Sequence, residues 1–228
     1  MDAPSTDDGI FSELSFPPED VGAFLGRCRE FWRHLLDANA RKNLTRILDW
    51  DEFLVKHVYD SLLAVEAFPS LARKPSRLLD LGCGAGFPSI PLAMAYPELS
   101  VAAVDSNAAK AAFVAEAAER LRLPNLSAIQ GRGRELARRD GFRESFDIVT
   151  ARAVASLDRL FRESRGFVAP GGSMLFYKTP SAIDAEFSPL RELRESSSFE
   201  WNAVKDLELP GGMGKRGFVV GTRHSRAS

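Results

Sequence analysis

Apolar residues recur at helical spacing in "VGAFLGRCREFWRHLLDANARKNL", where Val21, Phe24, Leu25, Cys28, Phe31, Trp32, Leu35 and Leu36 share one face. "DWDEFLVKHVYDSLLAVEAF" predicts a second amphipathic helix, with Asp49 or Asp51 as its N-cap. The two helices make an N-terminal helical extension over 21–70, and "ARKPS" links it onward. From Arg77 the pattern changes. Short apolar runs, "RLLDL", "SVAAVD", "LSAIQ", "FDIVTA" and "GSMLFYK", alternate with "IPLAMAYPE", "NAAKAAFVAEAAERLRL", "GRELARR" and "SLDRLFRESRGFV". That alternation predicts βαβ units, hence an α/β fold with a mostly parallel sheet and helices on both faces. "FEWNAVKDLEL" and "KRGFVVGTR", around the turn "PGGMG", predict two closing strands and a seven-stranded sheet within 75–222.

Composition refines this picture at the ends of the chain. The 228 residues suffice for one domain with an extension. Residues 1–20 carry six acids and no base, are rich in Ser and Pro, and are expected to be a disordered acidic tail. They lack the basic and apolar regions of a secretory signal, and no apolar run reaches membrane-spanning length. A cytoplasmic protein without membrane contact is the expectation. Net charge is −1, but the chain beyond residue 20 holds 30 basic and 25 acidic residues. The last fourteen, "KRGFVVGTRHSRAS", contain Lys215, Arg216, Arg223 and Arg226 with no acid, and residues 223–228 read as a basic tail. Such a surface suits phosphates, or is simply a solvated face. Cys28 and Cys83 give neither a disulfide framework nor zinc spacing, so no metal is expected.

Ligands of doubly wound sheets lie at the carboxyl ends of the strands. The first such turn is "DLGCGAGFPSI". Gly82, Gly84 and Gly86 let the backbone bend tightly and approach a ligand. Their spacing is G-x-G-x-G, whereas a dinucleotide fingerprint places its third glycine where Phe87 stands. Asp80 would repel a pyrophosphate but suits a ligand with an ammonium group. Asp105 ends the second strand about twenty residues on, where an acid accepts from the ribose hydroxyls of an adenosine. The alternative is that Asp105 only caps the next helix. Together Asp80, the three glycines and Asp105 describe a site for S-adenosyl-L-methionine. Adenine belongs past the third strand, at Gly133, Arg134 or Glu135. The fourth strand delivers Arg152 and the fifth Lys178, two cations at adjacent strand ends that suit a negatively charged substrate; a purely structural ion pair is the competing account of Arg152.

Six stretches carry a resemblance: "NLTRI", "HVYDSL", "LDLGCGAGFPSIPLA", "VDS", "TARAVASL" and "LFYKT". In order and spacing the chain resembles the bacterial 16S ribosomal RNA guanine-N7 methyltransferase G family, also called glucose-inhibited division protein B, from about Phe24 to Val220. The glycine turn is shared with many methyltransferases; "NLT" and "HxxDSL" ahead of "GAGFP" are far more specific. The resemblance implies a Rossmann-like class I methyltransferase using S-adenosyl-L-methionine, with 16S ribosomal RNA or the small ribosomal subunit as partner. The family's target is a guanine in the decoding-region hairpin. Its cofactor contacts map to Gly82, Phe87, Asp105, Ser106, Asn107, the Gly133–Arg134 pair and Arg152. The chain departs from the family's usual residues at Cys83, Ser89 and Thr179, and Arg134 stands where an acid is common.

Guanine N7 carries a lone pair and no proton, so its methylation needs alignment rather than a general base. Arg152 and Lys178 are therefore expected to position substrate. Asn43, Thr45, Arg46, His57, Asp60 and Arg216 are candidates for RNA contact; a polar network joining the extension to the domain is the competing account of Asn43, Thr45, His57 and Asp60. Phe87, Phe176 and Tyr177 are candidate stacking platforms for a flipped base. Two other functions stay open from sequence alone: methyl transfer to a small molecule or protein, and a non-catalytic RNA- or nucleotide-binding module. A monomer is the default.

Overall fold

The computed structural model describes residues 9–73, 76–152, 155–193 and 197–225. Seven strands form one sheet: β1 (Ser76–Leu81), β2 (Leu99–Asp105), β3 (Leu126–Gln130), β4 (Phe146–Ala151), β5 (Val168–Lys178), β6 (Phe199–Glu208) and β7 (Lys215–Arg223). Their order is β3-β2-β1-β4-β5-β7-β6. The first five pair in parallel, with Leu79 of β1 opposite Ala102 of β2 and Val149 of β4. β7 inserts antiparallel between β5 and β6. The strand order reverses between β1 and β4, which places the ligand crevice at their carboxyl ends.

Helices follow their capping residues. Asp20 caps α1 (Val21–Lys42) by accepting from Ala23 N–H at 2.9 Å, and Asn43 ends it in the left-handed conformation. Asp49 caps the second helical stretch through Glu52 N–H at 3.0 Å. That stretch is not one continuous α-helix. It runs as α2 (Trp50–Phe53), a π-helical turn at Leu54–Tyr59, α3 (Asp60–Leu62) and α4 (Ala64–Ala67), with α5 (Ser70–Arg73) beyond. Between the strands come α6 (Ser89–Ala95), α7 (Ala108–Arg120), α8 (Gly133–Leu136) and α9 (Leu157–Ser164).

The extension is welded to the domain by aromatic packing. Phe31 of α1 meets Phe53 at 5.8 Å, Phe87 at 5.4 Å and Phe113 of α7 at 6.4 Å between centroids. The opposite face of the sheet buries Leu160 and Phe161 of α9 with Ile183 and Leu190 of α10 (Pro180–Glu192). α10 has no counterpart in the sequence reading, because its Ser, Asp, Glu and Pro content hides the short apolar stripe.

Two terminal expectations need correction. Residues 9–20 are ordered against the body: a 3-10 turn at Ile10–Glu13 buries Phe11 completely, 5.3 Å from Phe24. Ser15 donates through N–H and Oγ to Glu66, and Tyr96 donates to Phe16 O at 2.8 Å. Burying one phenylalanine contributes about 2–3 kcal/mol toward holding this segment on the body. Residues 1–8, the rest of the expected tail, lie outside the described residues. Arg223 likewise belongs to the sheet rather than to a tail, ion-paired with Glu144 at 2.6 Å; Arg226 lies outside the described residues.

Candidate active site at the carboxyl ends of the strands

The glycine turn folds back on β2. Gly82 and Cys83 N–H both donate to Val104 O, at 2.8 and 3.0 Å, and Gly82, Gly84 and Gly86 all adopt positive φ. At Gly86 an added Cβ would strike Ile90, with Cγ1 at 2.9 Å, so this glycine serves packing. At Gly82 an added Cβ meets nothing within 4 Å, because the position faces open space. That space is a cleft of about 440 Å³ lined by Gly82, Asp105, Ser106, Gly131 and Gly133, with Ala155, Arg159, Leu160 and Glu163 on its far side.

Asp105 is not the cap of α7. Asn107 is, accepting from Ala109 and Lys110 N–H at 2.9 and 3.3 Å. Asp105 instead accepts from Gly84 N–H at 3.0 Å and Asn107 N–H at 2.8 Å, which fixes its carboxylate between the turn and α7. Asp80 departs from expectation. It is fully buried and accepts from Ser89 Oγ and from Thr150 Oγ1, the latter at 3.3 Å. Burial raises its pKa to about 6, against the hydrogen bonds that favour the charged form. It braces the turn from beneath and is not among the residues that line the cleft. Ser89, a departure from the family's usual residue, is its partner. Arg134 is exposed and outside the cleft wall, whereas Gly133 is in it.

Cys83 is buried among acids, and burial pushes its thiol pKa far up, so it stays protonated and inert. Phe87, expected at the cofactor or as a platform, is a core residue. It stacks on His57 with centroids 4.1 Å apart and planes at 14°. Phe176 is also fully buried.

A second cavity of about 390 Å³ opens beside the ends of β4 and β5. Arg152, Tyr177, Lys178, Thr179, Glu186 and Arg216 line it. Tyr177 is held by its hydroxyl to Ser61 O at 2.8 Å. Lys178 Nζ donates to Ala155 O at 2.6 Å and pairs with Glu186 at 2.8 Å. Arg152 Nη2 lies 2.9 Å from Asp60 Oδ2 and donates to Lys56 O. Its Nη1 is buried without a partner among the described residues. Burial also lowers the Arg152 pKa, opposed by Asp60.

The N-terminal candidates fall into two groups. Asn43 and Arg46 are exposed on the loop after α1. Thr45, His57 and Asp60 instead form the polar network that joins extension and domain, and Arg216, which pairs with Asp60, also lines the second cavity. Arg152 donates toward His57 Nδ1 at 3.4 Å, which makes that nitrogen the acceptor and leaves Nε2–H for Thr45 Oγ1 at 2.9 Å. Burial, with Arg152 nearby, lowers the His57 pKa to about 3, so the ring is neutral. Asp60 has no exposed surface and cannot meet RNA in this conformation. Sequence reading overlooked Asn39. Its Oδ1 accepts from Leu44 and Thr45 N–H at 2.6 and 2.9 Å, and so shapes the "NLT" loop. Only its place four residues before the helix end could have signalled this.

A glycine turn after β1, an acid ending β2 and a cleft at the carboxyl edge of this sheet define a Rossmann-like, S-adenosyl-L-methionine-dependent methyltransferase. In fold the chain is similar to the O-methyltransferase from Bacillus cereus solved in complex with SAH, with TM-score 0.61, 16% identity, and 95% and 96% of the two chains covered. It is similarly related to TomG from Streptomyces achromogenes, solved with SAM, at TM-score 0.59, 17% identity and 96% of both chains. The family model for rRNA small subunit methyltransferase G matches residues 26–210. The chain belongs to that family. It is 38% identical to the ribosomal RNA small subunit methyltransferase G of Gloeobacter violaceus over 214 residues, covering 92% of this chain and 82% of that protein. Against its counterpart in Lactobacillus delbrueckii subsp. bulgaricus the identity is 33% over 192 residues, 84% and 80% of the two.

Proposed function

We propose that the protein methylates N7 of a guanine in the decoding-region hairpin of 16S ribosomal RNA, acting in the cytoplasm as a monomer on the RNA or the small subunit. The observation that carries this reading is the cavity lined by Arg152, Lys178 and Arg216, adjoining the glycine cleft through Ala155. A cationic cavity beside a nucleoside-sized cleft fits a polyanionic methyl acceptor better than a neutral metabolite. The absence of large exposed hydrophobic side chains other than Leu48, among the described residues, accords with a monomer.

The open space at Gly82 and the fixed carboxylate of Asp105 fit S-adenosyl-L-methionine, which when bound supplies an electrophilic sulfonium methyl. Asp105 would accept from its ribose hydroxyls. Gly82 admits it to the backbone, and Ser106, Gly131 and Gly133 would flank its adenosine. Arg152, Lys178 and Arg216 would neutralise phosphate and hold the acceptor base, with exposed Asn43 and Arg46 extending the RNA surface. No side chain has to remove a proton, because N7 offers a free lone pair. The residues act by alignment and by keeping water out of the pocket.

Incubation with labelled S-adenosyl-L-methionine and undermodified small subunits, followed by mapping of the modified base, tests the reading. Label at one guanine N7 is expected. Label confined to protein or small molecules would overturn it.

A further inference from the structure

Glu186 lines the cationic cavity, and the mechanism above gives it no task. Its carboxylate is held from two sides: Oε2 accepts from Lys178 Nζ at 2.8 Å and from Leu157 N–H at 2.7 Å. These bonds tie α10 to the end of β5 and the start of α9. Among the described residues Oε1 has no donor, and the side chain keeps 30% of its surface exposed. A fixed carboxylate oxygen repels phosphate, so the polyanionic backbone does not account for it. What it can accept is a pair of adjacent N–H groups.

Among the bases, guanine alone presents an imino hydrogen next to an exocyclic amine, N1–H beside N2–H. Adenine offers a lone pair at N1 and no amine at C2. Cytosine has an amine without the imino hydrogen, and uracil sets its imino hydrogen between two carbonyls. On guanine this edge lies away from N7, so a base held there keeps N7 free. An acceptor fixed in a binding cavity discriminates between bases, because a base without the matching donors leaves it unpaired once the cavity is filled. We infer that Glu186 Oε1 reads the Watson–Crick edge of the target guanine, with Lys178 and Leu157 N–H positioning the carboxylate. The inference rests on the guanine-N7 reading above.

The test compares small subunits whose RNA carries guanosine or inosine at the target position, using unaltered protein and Glu186→Gln. Inosine lacks only the exocyclic amine. The unaltered protein is expected to lose about 10-fold or more in kcat/KM on inosine. Glu186→Gln, which retains an acceptor for Leu157 N–H, is expected to lose about 10–100-fold on guanosine and to treat the two bases within about threefold of each other. A ratio near one in the unaltered protein overturns the inference without recourse to any variant. Equal losses on both bases in Glu186→Gln, with the original ratio kept, would also overturn it and leave Glu186 as a support for Lys178 alone. If the unaltered protein makes no N7-methylguanine from the guanosine subunits, the underlying reading fails and this inference with it.

Discussion

Asp60 and Arg216, 156 positions apart, form a two-pronged pair, with Nε 2.5 Å from Oδ1 and Nη2 2.9 Å from Oδ2. Arg152 shares the same carboxylate at 2.9 Å. One buried acid therefore holds together two guanidinium groups that would otherwise repel each other.

Asp60→Ala should destabilise the protein by about 3–5 kcal/mol, the usual cost of stranding buried charge. Urea denaturation measures it. A loss below about 1 kcal/mol would mean that the network relaxes into solvent. Asp60→Asn, which keeps the acceptor but not the charge, should fall in between.

His57 gives the protein an acid-side weakness. Its folded pKa, about 3, lies below the ordinary value of 6.5, so the unfolded chain takes the proton first. The contribution is complete above about pH 6.5 and is lost as pH falls toward 3. Between pH 7.5 and 5 the unaltered protein should lose about 1–2 kcal/mol more than His57→Gln, the ring's partial exposure trimming the full linkage value. Parallel stability curves would contradict the neutral, buried ring.

Asp105→Ala should weaken S-adenosyl-L-methionine binding about 10–100-fold by calorimetry, because Gly84 N–H of the turn and Asn107 N–H at the start of α7 lose their acceptor along with the ligand. Lys178→Ala should leave that affinity within about threefold and lower methyl transfer about 10-fold or more. Equal affinity losses in both variants would contradict the division between cleft and cavity.

Phe11→Ala should cost about 3–5 kcal/mol, as expected for a fully buried ring. A change under 0.5 kcal/mol would be surface behaviour and would deny that the segment before α1 is part of the core.

The parallel strands were legible because each is a short apolar run between punctuating Gly, Pro and Asp residues. The glycine turn and Asp105 were legible because their chemistry depends on local spacing. What escaped depends on three dimensions. Phe11 sits among acids that disguise its burial, and α10 exposes most of its length. Phe87 and Asp80 occupy motif positions whose neighbours suggest a ligand, yet their partners His57 and Ser89 come from packing. Asp60 stands in a specific motif, but nothing near it announces Arg216. The α9 wall of the cleft, with Arg159 and Glu163, is visible only once the helix lies across the strand ends.

β7 sits between β5 and β6 although it is the last strand made. When a ribosome has released the chain as far as residue 200, the sheet still lacks the strand that bridges β5 to β6, and Asp60 has yet to meet Arg216. The helices at the start of the chain can pack early on Phe87 and Phe113, but their ion pair with Arg216 forms only after β7 has emerged. A nascent chain stalled short of residue 215 would carry its glycine turn while the neighbouring cavity still lacked Arg216, so the wall of that cavity closes in one late step.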